Sequence, residues 1–525
     1  MSGAHELVSD LVEALRPIEV ELAQAWWEAS THASDDANRR KTELELARRR
    51  LLADADAFAT MQAARRAPDL DADVRRQLDL LHDAMVPNQV PEDLQRRIVE
   101  LESEVEATFT SFRGELDGER VADNTILDIL RGSEDSELRR RAWEASKQVG
   151  AAVAGPVRDL ARLRNEAARS VGYRDHFALA LAVGEMDEDR LLATLDEVDR
   201  YTDAPFAAWK QKLDGRLAAR FDVAPTDLAP WHLDDPFFQE PPSAGALDLD
   251  ARFADADLEA LTVRTYDGLG LDVRPVLARS DLYGRDSKNQ HAFCIDIDRA
   301  GDVRVLCNVE PSERWMDTML HEFGHAAYNQ GVAPTLPWLV RDAAHALTTE
   351  GVAMLFGRLV RSPEWLGQVA GFPAAELEAL RPRLGEARRA SLLAFARWVL
   401  VVTHFERRLY ADPDGDLDSW WWDLVERYQH VRRPAGRAEP DWASKIHLAV
   451  VPVYYQNYLY GELFASQLES ALTTRAGGFV DRREAGRFLT DAVFAPGASR
   501  RWDQLVREAT GEPLSAAHLA AHLAA

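Results

Sequence analysis

His321-Glu322-Phe323-Gly324-His325 sets two imidazoles four residues apart, and Glu350 follows twenty-five residues after the second. On a helix, residues four apart project from one face. His321 and His325 can therefore present two neutral nitrogens to one ion, a donor type suited to zinc. Glu322 lies one step round the helix, within reach of a water on the ion's open side, where its role is general base. A catalytic zinc keeps three protein ligands and one open position. Glu350, in a second helical stretch at 342–360, is the expected third ligand. The pattern points to a zinc hydrolase, with a chance match on an ordinary helix as the competing explanation.

A second chemical cluster lies at 441–460, where Lys445, His447, Tyr454, Tyr455, Tyr458 and Tyr460 fall in one short span. Tyr455 and Tyr458 are three apart and share a helix face. Peptide hydrolysis generates a tetrahedral oxyanion, which a preorganised phenol or imidazole donor stabilises. Lys445 can hold a substrate carboxylate as a point charge. An aromatic core helix with a surface lysine would give the same sequence.

These groups need elements to hold them. Pro311-Ser312 supplies a stop and an N-cap for the motif helix. Trp315, Met319, Leu320, Phe323 and Ala327 anchor it at helical spacing, and Gly331 and Pro334 close it. Gly324 costs roughly 1 kcal/mol against Ala inside a helix, so it serves either close packing or room for substrate. Just upstream, 292–297 and 303–309 flank Asp298-Arg299-Ala300-Gly301-Asp302, a hairpin signal. Its edge either accepts an extended peptide as an added strand or is purely structural. Residues 1–115 read as long amphipathic helices, with 6–29 and 41–64 the clearest. The segment 225–246 is rich in Pro, Trp and Phe and is expected to be a loop packed on the body. From 341 onward the pattern is helical again, with Trp420-Trp421-Trp422 read as packing between helices.

Composition narrows the function. A formal net charge of −26 disfavours nucleic acid and anionic membrane surfaces as partners. Two cysteines exclude a disulfide framework and fit a reducing compartment. The N-terminus lacks a basic start and an apolar run, and no stretch approaches a membrane span. A cytoplasmic protein is expected. The 525 residues allow about three average domains. With no repeats, low-complexity tracts or long linkers, the expectation is instead a single domain over 1–525. Within it, 1–115 forms a lid-like helical region, 290–360 the zinc core and 440–470 the oxyanion- and carboxylate-binding region.

Together these residues resemble the angiotensin-converting-enzyme family of zinc peptidyl-dipeptidases, which are gluzincins, and more distantly the thimet-oligopeptidase family. The resemblance covers most of the chain and is strongest from His291 onward. His321, Glu322, His325 and Glu350 match the family's zinc motif, His291-Ala292 its substrate-backbone strand with Asp296 in place after it, Lys445 and His447 its Lys-x-His, and Tyr455 and Tyr458 its tyrosine pair. The segment 418–428, Glu484-Ala485-Gly486 and Thr510-Gly511-Glu512-Pro513 resemble further family segments. The resemblance implies a mainly α fold: a large two-lobed helical ellipsoid with a deep central cleft, and a small β-hairpin beside the zinc helix. It implies catalytic roles for Glu322, for Tyr458 as oxyanion donor and for His447 assisting it. Lys445 and Tyr455 would hold the substrate's C-terminal carboxylate, and His291 and Ala292 the peptide backbone.

The chain departs from the family at several points. Gln456 and Asn457 stand where an Arg helps bind chloride, which puts chloride activation in doubt. A family Gln that grips the substrate carboxylate aligns near Leu233 when Trp231 is matched, which weakens strict dipeptide release. Met354 stands where the family has an Asp that partners a zinc-ligating His, so some other group must orient that imidazole. The spacing from His447 to the tyrosines is one residue longer than in the relatives, leaving Tyr454 as the alternative to Tyr455. Cys307 falls on a family disulfide position whose partner position is Gln290.

The reading is a cytoplasmic zinc metallopeptidase, a monomer or homodimer with one Zn2+, that acts on short peptides and releases C-terminal dipeptides. Its rivals are an oligopeptidase-type endopeptidase, an amide hydrolase recruited to a dedicated small-molecule pathway, and a peptide-binding protein that has lost catalysis.

Overall fold

The computed structural model describes residues 2–32, 34–242 and 247–524. Helix accounts for 71% of the chain, so the mainly α expectation holds. Strands among the described residues form two separate two-stranded antiparallel sheets. No helix among them is long and apolar enough to cross a membrane. The chain divides into two compact units. One gathers Met1–Gln89, Asp248–Leu384 and Tyr460–Leu519; the other gathers Val90–Leu247, Gly385–Leu459 and Ala520–Ala525.

Eight elements carry the argument: α1 (Ser2–His32), α2 (Asp35–Leu52), β1 (Phe293–Asp296), β2 (Val303–Leu306), α3 (Glu313–Gly331), α4 (Ala346–Gly357), α5 (Ala374–Ala411) and α6 (Tyr455–Ala476). In the first unit, Val8 and Leu15 of α1 and Leu52 of α2 share a buried cluster with Met61, Leu78, Leu81 and Met85. The helix expected over 41–64 is broken. Asp54 is extended, and its side chain accepts the Ala57 N–H, so it ends α2 and caps a new helix at Ala55–Arg65. Trp27 of α1 packs on Ile295, Ile297 and Leu306 of the hairpin. Trp26 stacks on Phe293, with ring centroids 5.2 Å apart.

The hairpin pairs Phe293 with Leu306 and Asp296 with Val303, a residue shorter on β1 than the apolar run at each end. Asp296 explains the early stop: its carboxylate accepts the Asp298 and Arg299 N–H groups and opens the turn.

Ser312 caps α3 as expected, accepting the Trp315 N–H at 3.2 Å. The ligand helix α4 starts at Ala346 rather than 342. His345 is extended there, its Nδ1 accepts the Leu347 N–H, and the Thr348 hydroxyl accepts the His345 N–H. α3 and α4 pack to backbone contact. A Cβ on Gly324 would lie 2.8 Å from the Ala353 Cα, so this glycine is a packing glycine. On α6, a Cβ on Gly461 would lie 3.0 Å from the Glu350 Cβ.

In the second unit, Ser136–Ser170 and Glu188–Phe221 are the long helices. The segment 225–246 holds only short helical turns, Pro225–Asp227 and Pro230–His232, as its prolines require; its residues 243–246 lie outside the described residues. Trp421 and Trp422 are buried. Trp421 packs edge-on against Trp398 and Phe405, which is the packing role expected of the tryptophan run.

Gly324→Ala forces α3 and α4 apart at a backbone atom that cannot yield. Overpacking of this kind costs about 1–3 kcal/mol, set against a helix-propensity gain of about 1 kcal/mol. The expected outcome in urea unfolding is a net loss of stability, accompanied by weaker metal binding in a chelator competition. A variant as stable as wild type would show that the two helices are free to separate.

Candidate functional site

The first unit holds the expected metal ligands. One atom each from His321, His325 and Glu350 falls within a 4.8 Å cluster, and His321 Nε2 lies 3.7 Å from Glu350 Oε2. The donor set is two imidazoles and a carboxylate, which fits a catalytic zinc with a position to spare. Burial lowers the His321 pKa to about 4. It also holds His325 well below the usual imidazole range, helped by the neighbouring His321. Both rings are therefore neutral ligands at neutral pH. Burial pushes Glu350 up to about 7. Glu322, only 8% exposed, is pushed up to about 8 by burial and then by the Glu350 charge, against a backbone hydrogen bond from Cys294. Such carboxylates are costly without a partner, and a divalent cation at this donor set would favour their ionised forms.

Several contacts hold the ligands in place. His325 Nδ1 lies 2.6 Å from the Thr349 hydroxyl, which leaves Nε2 for the metal. Thr349 thus makes the contact to a ligand imidazole that Met354 cannot make. The Tyr266 hydroxyl donates to the Leu320 carbonyl at 2.7 Å, bracing α3. Arg358 follows α4; it donates to the Met354 carbonyl and pairs with Glu462 and Glu469 of α6 at 2.7 and 3.0 Å. The last carbonyls of the ligand helix thereby gain a cation at their negative end.

The hairpin meets Glu322 through its backbone. Odd-numbered residues of β1 face β2: Phe293 and Ile295 pair with Leu306 and Arg304, and the Ile297 N–H reaches the Asp302 carbonyl at 2.9 Å. Cys294 faces the other way, its N–H toward Glu322. Strand alternation then places the peptide groups of Ala292 and Asp296 on the same edge. Asp281 covers the far edge of β2, accepting the Cys307 N–H and donating to the Val305 carbonyl. Among the described residues, no strand pairs with the outer edge of β1. His291, just before it, is exposed. Cys294 and Cys307 are free thiols.

The second unit holds a cluster around Lys445. Its Nζ donates to Gln239 Oε1 at 2.6 Å, and the Tyr455 hydroxyl lies 3.5 Å from the same oxygen. The ammonium sits over the rings of Phe237, Trp398 and Tyr455 at 5.3–5.6 Å. Desolvation lowers its pKa to about 8, partly offset by Asp235. The His447 ring lies 5.2 Å from Tyr455, and the Tyr458 ring 5.7 Å from it. Tyr454 packs edge-on against Tyr458 at 5.1 Å, while Tyr455 is set against Gln239 and Lys445.

Gln239 was missed in the sequence, because matching Trp231 put the carboxylate-gripping Gln near Leu233. Leu233 is buried and its carbonyl accepts from Arg139, which also binds the Trp231 carbonyl, so that stretch is structural. The usable signal was the Asp235-Pro236 turn. The Asp235 carboxylate accepts the Phe237 and Gln239 N–H groups and folds the loop that presents the glutamine.

Thr349→Val keeps the shape of the side chain and removes its hydroxyl. Loss of such a partner weakens zinc roughly 10- to 100-fold, read by competition with a chromogenic chelator. Unchanged affinity would mean that Thr349 does not orient His325.

No individual curated protein matches the chain. A family model described as angiotensin-converting enzyme matches residues 1–200 and 284–523, which leaves Gln239 in the unmatched interval. The match takes in the ligand trio, Glu322, the open strand edge, Lys445 and the tyrosines, and it spans most of the chain: this protein belongs to the angiotensin-converting enzyme family of metallopeptidases.

Proposed function

We propose that the protein is a zinc-dependent peptidyl-dipeptidase that removes C-terminal dipeptides from short peptides. The observation that carries the exopeptidase reading is the environment of Lys445. It is a desolvated cation whose nearest partner is an amide oxygen, with no carboxylate in ion-pair range among the described residues. A half-buried cation that Asp235 offsets only in part is unfavourable, and the terminal carboxylate of a peptide is the group that completes it. Gln239 and Tyr455 stand ready as flanking polar contacts.

His321, His325 and Glu350 would hold the zinc, which when bound polarises the scissile carbonyl and acidifies a water. Glu322 takes the proton from the attacking water and returns it to the leaving amine. Burial raises its carboxyl pKa and the ion's charge opposes that rise; a group that takes and returns a proton needs both forms accessible near neutrality. The outer edge of β1 binds the peptide backbone as an added strand through Ala292, with His291 beside it. On the family resemblance, Tyr458 with His447 donates to the developing oxyanion. With Gln456 and Asn457 in place of the chloride-binding Arg, the activity should be independent of chloride.

The first test is mass-spectrometric product analysis of a short unmodified peptide and its C-terminal amide. Stepwise loss of two C-terminal residues from the free acid alone is expected. Chelation should abolish it, and Glu322→Gln should lower kcat by about 10² to 10⁴. Internal cuts in both peptides would instead indicate an endopeptidase. No cleavage of any peptide by zinc-loaded protein would leave the recruited amide hydrolase or the binding protein.

The lysine sets a pH limit. With its pKa lowered to about 8, Lys445 is charged below that value and neutral above it. KM for a free-acid peptide should therefore be flat below about pH 8 and rise above it, while the inhibition constant of the uncleaved amide as a competitor does not. Lys445→Arg, which stays protonated throughout, should remove the rise. A free-acid KM flat to pH 10 in the wild type would exclude this role for the lysine.

A further inference from the structure

Val453 occupies a conformation that its side chain opposes. It has φ of +54°, in the left-handed region, and it is β-branched and only 5% exposed. Such a backbone persists only where its surroundings over-determine it. Here both of its peptide groups are held. The N–H donates to Glu406 Oε1 at 2.7 Å, and the carbonyl accepts from Gln456 Nε2 at 2.6 Å. Glu406, on α5, is 1% exposed, and Gln456, in the first turn of α6, is 2% exposed. Burial pushes the Glu406 carboxyl up to about 8, with the Val453 hydrogen bond and Arg164 opposing. An acid that is largely protonated near neutrality can accept the Val453 N–H without a counter-ion.

The strained residue sits directly before Tyr454 and Tyr455, in a segment one residue longer than the family spacing. A left-handed turn is a compact way to take up one extra residue, much as a bulge does in a strand. Without it, the start of α6 would rotate by about 100° per residue of slip, and a different side chain would face Lys445.

We propose that Glu406 and Gln456 are positioning residues: they clamp the left-handed Val453 turn and so set Tyr455 against Lys445 and Gln239. Neither touches substrate; both act through the backbone that orients the tyrosine. The inference deepens the carboxylate-site reading and rests on it for its kinetic consequence, though not for its structural one.

The test uses the zinc-loaded full chain and compares Glu406→Met, which removes the acceptor, with Glu406→Gln, which keeps it, and with Glu406→Met combined with Val453→Gly. Glycine adopts positive φ without strain, so it should lessen the need for the clamp. Two readouts are taken: the 19F shift of 3-fluorotyrosine at position 455, and KM for a free-acid peptide beside the inhibition constant of its amide. Expected for Glu406→Met are a shifted or broadened 19F signal and a free-acid KM raised about tenfold or more, with the amide's inhibition constant unchanged. Glu406→Gln should stay within about twofold of wild type, and the added Val453→Gly should restore most of the loss, a non-additive pair. If Glu406→Met does not fold, Gln456→Met replaces it with the same expectations. A folded clamp variant whose 19F signal matches wild type, or a loss that Val453→Gly leaves uncorrected, overturns the proposal. Lys445→Met separates the two layers. If it leaves KM unchanged, the carboxylate reading falls, and the 19F result alone then decides whether the clamp exists.

Discussion

Three ligand atoms converge only if two helices touch at their backbones. Glu350 is carried on α4 and the histidines on α3, and the close approach at Gly324 and Ala353 brings them within one ion's reach. A methyl group at that point has nowhere to go. The rest of the first unit supports this approach. The His345–Thr348 cap starts α4, Arg358 and its two glutamates finish it, and Tyr266 braces α3 from the side. The burial that results makes the site electrostatically incomplete, with neutral histidines and carboxyls raised towards neutrality, which is the state a divalent cation resolves.

The second unit poses the converse problem. Lys445 is a cation among aromatic rings, pulled out of water with an amide for company. Aromatic faces stabilise an ammonium by about 0.5–2 kcal/mol, which is less than its desolvation removes, so its pKa falls. The loop presenting Gln239 owes its shape to the Asp235 turn, and the helix presenting Tyr455 owes its phase to the turn at Val453. Local backbone devices thus decide which polar groups meet the lysine.

Much was legible beforehand because it follows from periodicity and local chemistry. The His321, His325 and Glu350 cluster, the N-cap at Ser312, the hairpin and the mainly helical class rest on spacings of four, on alternation and on turn residues. The family match agrees with the resemblance those motifs carried. Helix ends were less legible. Asp54 broke a helix that apolar spacing ran straight through, and His345 delayed another, because a side chain that caps competes with the pattern in a way periodicity does not register.

What the sequence by itself determined is the chemistry available: two nitrogens and a carboxylate for zinc, a neighbouring base, a lysine and a set of phenols. What only the tertiary structure decided is which of these groups meet. Thr349 serves His325 in place of a missing aspartate, Gln239 joins Lys445 in place of the residue near Leu233, and Tyr455 reaches the same Gln239 oxygen. The open edge of β1 was likewise decided by Asp281 covering β2. The physical reason is the same in each case. A ligand or a base is named by its own side chain and helical spacing, whereas a partner is chosen by loops and turns distant in sequence, whose geometry depends on a few backbone hydrogen bonds that no period encodes.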